Sequence, residues 1–441
     1  MDLTPNLHKA DPKNRRNFLL QSAGALLGVS TSSSLSPLFG APPENPTATA
    51  ELSLRTRPAK RIISLFMQGG LSQIETFSPV PEAPIEIRGE ARAISTSADG
   101  IQLGYQLPKT ARLMHLAVPF RSLHSDQGAH EQGRYFMKTN RRMRGTIQHP
   151  HFGSWTGRLS PPLNKELPGF VAVTGSTLEV GAGFLGAKYE PLVVRDPESG
   201  LANTQLAYKD TAEAMNHRLN LAAAIDRDFQ ARYASVPVRN HAAMFKATTR
   251  LLDSKDLDAF DISQEPASRR KAYGSSRFGQ GCLLARRLST SVVRFVEVEM
   301  GGWDTHIDHF KRLPELLSSL DTGLSALLSD LDASGELEET LVVVTSEFGR
   351  TPFINQNEGR DHYPQAFSAL IAGGGIRGGQ AYGGVSKDGQ FITNKATKVT
   401  TFNATLGWAL GLPINETIFS PSQRPFTLAS RAKPITELFR V

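Results

Sequence analysis

The sequence predicts an α/β fold with a mostly parallel, doubly wound sheet, and two observations carry the prediction. Short apolar runs of strand length alternate along the chain with longer stretches of helical periodicity. Polar clusters rich in glycine, acids and imidazoles then follow directly on several of those runs. Doubly wound sheets collect their ligands at that position, outside the carboxyl ends of the strands.

The elements follow in order. Arg61 to Met67 is largely apolar, as expected of a strand buried in a parallel sheet, and stops at Gln68-Gly69-Gly70, with Ser72, Gln73 and Glu75 just beyond. His115 to Phe120 is a second run, leading to His124, Asp126, His130 and Arg134, and Phe170 to Thr174 is a third. Residues 211–288 read as mostly helical, with breaks at Pro237 and Pro266. Ser291 to Met300 is the next strand and runs straight into Gly301-Gly302-Trp303-Asp304-Thr305-His306. Leucines at 313, 316, 317, 320, 324, 327, 328 and 331 form a helical stripe that covers one side of a sheet. Leu341 to Thr345 is a strand ending at Ser346-Glu347, Ala366 to Ala372 is another, and 400–410 reads as helix. One sheet edge is thus expected to gather Ser72, His124, His130, Asp304, His306 and Glu347.

Residues 1–50 read as an export signal and flexible segment, with 51–441 as one domain. Arg15-Arg16-Asn17-Phe18-Leu19-Leu20 resembles a twin-arginine signal, and the apolar run to Val29 is too short to span a bilayer. Ala48-Thr49-Ala50 offers a small-residue cleavage site, which makes a periplasmic address the expectation. No membrane span is expected beyond a possible uncleaved signal. A formal charge of +7 without basic runs interleaved with aromatics argues against nucleic acid as a partner. Cys282 is the sole cysteine, so an intramolecular disulfide and a cysteine metal cluster are excluded, and its apolar helical surroundings predict a core position.

Carboxylates and imidazoles concentrate between Gly301 and Pro364. Asp304, His306, Glu347, Asp361 and His362 are candidate ligands for one or two divalent ions. Mixed oxygen and nitrogen donors suit Zn²⁺ or Mn²⁺ better than Ca²⁺. Arg350 and Arg360 are candidate clamps for an anionic substrate through bidentate bonds. The bland alternative has Asp304 capping a helix, His306 and His309 facing solvent, and Glu347 pairing with Arg350. Ser72 is a candidate nucleophile, although its own motif holds no base.

These motifs, together with Met67-Gln68-Gly69-Gly70-Leu71-Ser72, Phe278-Gly279-Gln280-Gly281-Cys282, Ser346-Glu347-Phe348-Gly349-Arg350-Thr351-Pro352 and Gly359-Arg360-Asp361-His362, resemble a bacterial family of exported proteins of unknown function allied to the alkaline phosphatase and sulfatase superfamily. The resemblance implies an alkaline-phosphatase-like core. It also implies metal ligation by Asp304, His306, Glu347, Asp361 and His362. The sequence departs from the superfamily where a metal-binding aspartate is expected after the first strand, since Gln68 stands there. It departs from the family's Ser-His-x-Asp, which here reads with Gln73 and Glu75. His130 to Asn140 is similar to a sulfatase signature with Arg134 and Thr139 in register, which places His130 at the nucleophile position. Formylglycine chemistry requires Cys or Ser and is excluded there. His130 is left to bind metal, to act as general acid or base, or to attack phosphorus, with Arg134 as a third anion clamp. The functional expectation is a metal-dependent hydrolase or transferase of phosphate or sulfate esters, with polymer- and lipid-linked esters among the candidate substrates. The alternative is a catalytically degenerate relative that binds anions or metal.

Overall fold

The computed structural model describes residues 58–440, except 175–178, 203, 205–210 and 234–235. The expected export signal lies outside the described residues. The central sheet has eight strands: β1 Arg61–Met67, β2 Ala117–His124, β3 Phe170–Val173, β4 Leu192–Val194, β5 Phe295–Met300, β6 Thr340–Thr345, β7 Phe367–Gly373 and β8 Thr397–Lys398. Their spatial order is β8-β2-β7-β6-β1-β5-β3-β4, and only β7 runs against its neighbours. The chain is therefore a mixed α/β protein with a large, mostly parallel central sheet.

Alternation along the strands produces two cores. Ile63, Leu65 and Met67 of β1 face one side with Val296, Val298, Val342 and Val344, under helices α5 (Arg277–Thr290) and α6 (His309–Ala333). Ile62 and Phe66 face the other with Phe295, Leu341 and Val343, under α1 (His130–Thr139), α2 (Phe152–Leu159) and α7 (Val399–Ala409). Period-two side chains with apolar residues at both phases are what a sheet covered on both faces requires. The leucine stripe of α6 is buried as its spacing predicts, and Cys282 is fully buried beside it. The helical middle region comprises α3 (Ala212–Arg232), α4 (Val236–Leu252) and α5, with two 3-10 turns and the short helix Ala267–Ala272 between α4 and α5. Among the described residues no helix is long and apolar enough to cross a membrane.

Two strand boundaries differ from expectation. The second strand continues to His124, and the strand expected from Ser291 starts at Phe295 because Val292 takes a left-handed turn conformation at φ 63°. Register places the site. Met67 pairs with Met300 and Phe66 with Thr345, so the loops beginning at Gln68, Gly301 and Ser346 leave the sheet side by side. Because β7 is antiparallel, its amino end reaches that same edge, with Phe367 opposite Leu123, and the residues just before it, Asp361 to Pro364, arrive there too.

Candidate metal centre

Four segments converge at the edge. His130 opens α1, Asp304 and His306 lie on the loop after β5, Glu347 follows β6, and His362 lies in a two-residue ribbon with Arg350 before β7. The backbone permits the convergence through glycine. Gly69 has φ 118°, and a Cβ there would stand 2.5 Å from the Asp304 amide nitrogen.

Hydrogen bonding sets the direction of each imidazole. His362 Nδ1 is 2.8 Å from the carbonyl oxygen of Gly128, which can only accept, so Nδ1 carries the proton and Nε2 presents a lone pair. His306 Nδ1 is 2.7 Å from Asp361 Oδ1, and His130 Nδ1 is 2.8 Å from Glu347 Oε1; carboxylates likewise accept. These tautomers follow from the partners. The two lone-pair nitrogens of His306 and His362 then face each other at 3.0 Å. The Asp304 carboxylate stands among them, with Oδ1 3.1 Å from His306 Nε2 and 3.4 Å from His362 Nε2, and Oδ2 3.3 Å from His130 Nε2. His130 Nε2 is buried and has no hydrogen-bond partner. Lone pairs and an anion pointed at one space repel unless something positive lies between them. An Nδ1 fixed by a carboxylate or carbonyl while Nε2 points inward is also the usual support of a metal-bound histidine. Ligand atoms of His130, Asp304 and His362 all lie within 4.8 Å of one another. The donor set therefore fits a divalent ion.

Electrostatics agree with that arrangement. Burial alone would raise the Asp304 carboxyl, but the Arg350 guanidinium bonded to it, with His130 and His306 nearby, brings it down to about 2. Burial pushes the His362 imidazole below its ordinary value against the opposing effect of the Gly128 carbonyl. A proton is thus a poor occupant of the His362 nitrogen. Phe348, fully buried, floors the site with its ring 5.1 Å from the His130 ring and 4.5 Å from that of His362.

A model of the family described as proteins of unknown function, DUF1501, matches residues 59–439. The chain belongs to the DUF1501 family. Comparison with curated protein sequences gives no match. Among solved structures, the DUF1501 domain is similar to the PsFucS1 sulfatase from Pseudoalteromonas sp. at 14% identity and TM-score 0.38, over 85% of this chain and 72% of that one. It is similar to the lipoteichoic acid synthase LtaP from Listeria monocytogenes at 9% identity and TM-score 0.35, over 83% and 78%. A TAB5 alkaline phosphatase mutant with Mg bound matches at 11% identity and TM-score 0.35, over 76% and 96%.

The remaining expected residues of the DUF1501 domain divide by what they touch. Glu347 and Asp361 stand one step behind the inward-facing atoms, since each accepts from an imidazole Nδ1, and Glu347 also accepts from the Gly69 amide at 2.9 Å. Arg350 is fully buried; it donates to Asp304 Oδ1 and to the carbonyls of Gly69, Gly70 and Arg360. Arg360 is fully buried against Glu75 and the carbonyls of Ile87, Thr351 and Pro352. Arg350 reaches the crevice only by way of the Asp304 carboxylate that it holds, and Arg360 is turned away from it; with both guanidinia enclosed, neither stands free to clamp a substrate as expected. Ser72 is 1% exposed and donates to Glu75, so it cannot reach a substrate as a nucleophile. His124 lies apart from the cluster, at the end of β2 opposite Lys398.

Arg134, one turn along α1 from His130, keeps part of its surface. Its fork holds the half-exposed Glu179 at 2.7 and 2.8 Å, and Nη1 stands 3.9 Å from Glu347. The bland alternative fails at two points. His309 is buried, not solvent-facing, and Arg350 meets Asp304 in place of Glu347. The position of His309 was readable, because it continues the leucine stripe through 313, 317, 320 and 324 to the amino end of α6. The Gly128 carbonyl and Phe348 carried no comparable signal.

Proposed function

We propose that this DUF1501 protein is a metal-dependent hydrolase or transferase of phosphate or sulfate esters, with His130, Asp304, His306 and His362 as the groups that hold the ion. The observation that carries the proposal is the convergence of three imidazole lone pairs on one carboxylate, each imidazole fixed from behind. When bound, a divalent ion supplies a Lewis acid that polarises a phosphoryl or sulfuryl oxygen. Zn²⁺ and Mn²⁺ suit the nitrogen-rich donors. The chain's own contribution is orientation. Arg350 fixes the Asp304 carboxylate, Glu347 and Asp361 hold the His130 and His306 tautomers, and the Gly128 carbonyl does the same for His362. Arg134 is the cation left to receive the anionic oxygens of the ester, in exchange for Glu179. Among the described residues no serine or threonine hydroxyl and no cysteine thiol is among the groups turned inward, and solvent water or an acceptor hydroxyl is the proposed nucleophile. The Arg15-Arg16 motif supports export by the twin-arginine route to the periplasm.

A second reading, cation binding without turnover, is favoured by one feature: four protein donors fill a tetrahedral shell, as in structural sites, whereas catalytic zinc keeps a position open. Full-length protein expressed with and without added Zn²⁺ or Mn²⁺ is analysed for metal and assayed on aryl phosphate and sulfate esters beside Asp304→Ala. Stoichiometric metal with turnover lost in the variant supports the hydrolase. Stoichiometric metal without turnover supports the binding protein, and protein that takes up neither ion overturns both. Export is tested by fusing residues 1–50 to a folded reporter, whose translocation is expected to stop on Arg15→Lys with Arg16→Lys.

A further inference from the structure

Glu75 belongs to neither ligand-bearing loop, yet its carboxylate is joined to both. It is 5% exposed. Oε1 accepts from Arg360 Nε at 3.1 Å and Nη2 at 2.8 Å. Oε2 accepts from Ser72 and lies 3.3 Å from His309 Nε2. His309 has no exposure, and its Nδ1 stands 2.6 Å from the hydroxyl of Thr305, the residue between Asp304 and His306. Arg360 immediately precedes Asp361 and His362, and its amide donates to the Thr305 carbonyl at 3.1 Å. One carboxylate therefore fastens the 304–306 segment through an imidazole and the 361–362 segment through a guanidinium.

We infer that Glu75 is the positioning residue of the cation site, holding the two loops in the register that brings the Nε2 atoms of His306 and His362 to 3.0 Å. The inference rests on the cation-binding reading above. The physical reason is charge and reach together. Arg360 is fully enclosed and requires an anion, and an ionised carboxylate accepts from Arg360 and Ser72 while facing the His309 imidazole. The Arg360 and His309 contacts, with Ser72, outweigh the cost of burial and hold the Glu75 carboxyl far below the ordinary carboxylate range. Glu75 thus acts from below the site, with no atom turned into it.

The test uses Glu75→Gln, which keeps the shape and removes the charge, and Thr305→Val, which cuts the His309 branch, with the long Thr305 bond to the Trp303 carbonyl, and leaves the Glu75–Arg360 pair whole. Cobalt(II) titration of the full chain, followed by visible absorption, reads affinity and ligand geometry. Second-sphere losses of this kind cost about 10- to 100-fold in affinity. The expectation is a loss in that range for Glu75→Gln and an altered cobalt spectrum for Thr305→Val at an unchanged unfolding midpoint. Should Glu75→Gln fail to fold, Thr305→Val decides. Wild-type affinity and spectrum in the folded variants overturn the inference. If the wild-type protein itself binds no cobalt, the cation reading fails. The positioning role is then read from the imidazole nitrogen resonances of His306 and His362. Their displacement in Glu75→Gln supports it, and wild-type shifts overturn it.

Discussion

The cation site and the layer beneath it use the same residue types to opposite ends. Above, His130, His306 and His362 turn lone pairs and Asp304 turns its carboxylate into one open space, and the buried His130 Nε2 has no hydrogen-bond partner, only the Asp304 carboxylate at 3.3 Å. Below, Arg350 and Arg360 place their donors against carbonyls and the Asp304 and Glu75 carboxylates, and the buried His309 faces Glu75 alone. The difference teaches that several nitrogen and carboxylate donors meeting in one space, rather than the presence of histidine or acid, mark where a ligand belongs. It also separates two kinds of failure. Damage above is expected to cost binding, and damage below to cost stability first.

The largest expected effect lies below. Arg360→Met leaves the Glu75 charge buried without its cation, and breaking such a pair costs roughly 3–5 kcal/mol. Denaturant unfolding of the metal-free protein measures it, and a cost near zero would remove the distinction between the layers. A second buried pair gives a pH test. Burial would raise the Glu297 carboxyl, but Lys138 at 2.8 Å and His151 bring it down to about 2 from an ordinary 4.5. Its stabilising contribution is therefore present above pH 4.5 and is lost as pH falls from 4.5 to 2. The loss is on the order of 3 kcal/mol, and Glu297→Gln should flatten that part of the stability profile.

Above, the effects fall on binding. Asp304→Ala should weaken zinc binding by about 100-fold or more, on the scale of losing one ligand and its charge. Calorimetric titration measures this loss. Chelator should lower the melting temperature of wild type and leave that of the variant in place, because only a bound ligand adds stability by mass action. The smallest effect concerns Arg134. Glu179→Gln weakens the carboxylate held in its fork, so inorganic phosphate or sulfate should bind the metal-loaded protein several-fold more tightly. Arg134→Ala should weaken the same anions by about 10- to 100-fold, on the scale of the roughly 1.5–3 kcal/mol of a charged hydrogen bond. Equal anion affinity in all three proteins would place the substrate's charge elsewhere.

Much of the fold was legible because the strands are apolar at both phases and end abruptly at glycine or polar clusters. β1, β6 and the leucine-striped α6 match their expected spans closely for that reason. The convergence of His130, Asp304, His306 and Glu347 at one edge followed from the same rule, whereas Ser72 and His124, expected there too, stand away from the cluster. Which arginine faces the crevice was not legible. Arg350, Arg360 and Arg134 all sit beside candidate ligands in the sequence, and only packing removes the first two from solvent. The antiparallel direction of β7, which brings Asp361 and His362 to the edge from before a strand, left no pattern in the residues.

What the sequence determined by itself was the sheet, the edge and the chemical types gathered there, because periodicity and burial are local properties of the chain. What only the tertiary structure decided was the role of each group. Glu347 reaches His130 across 217 positions, the Gly128 carbonyl reaches His362 across 234, and Glu75 reaches Arg360 across 285. Those distant acceptors select which imidazole nitrogen keeps its proton and which guanidinium is enclosed, and so which lone pairs remain to meet a cation.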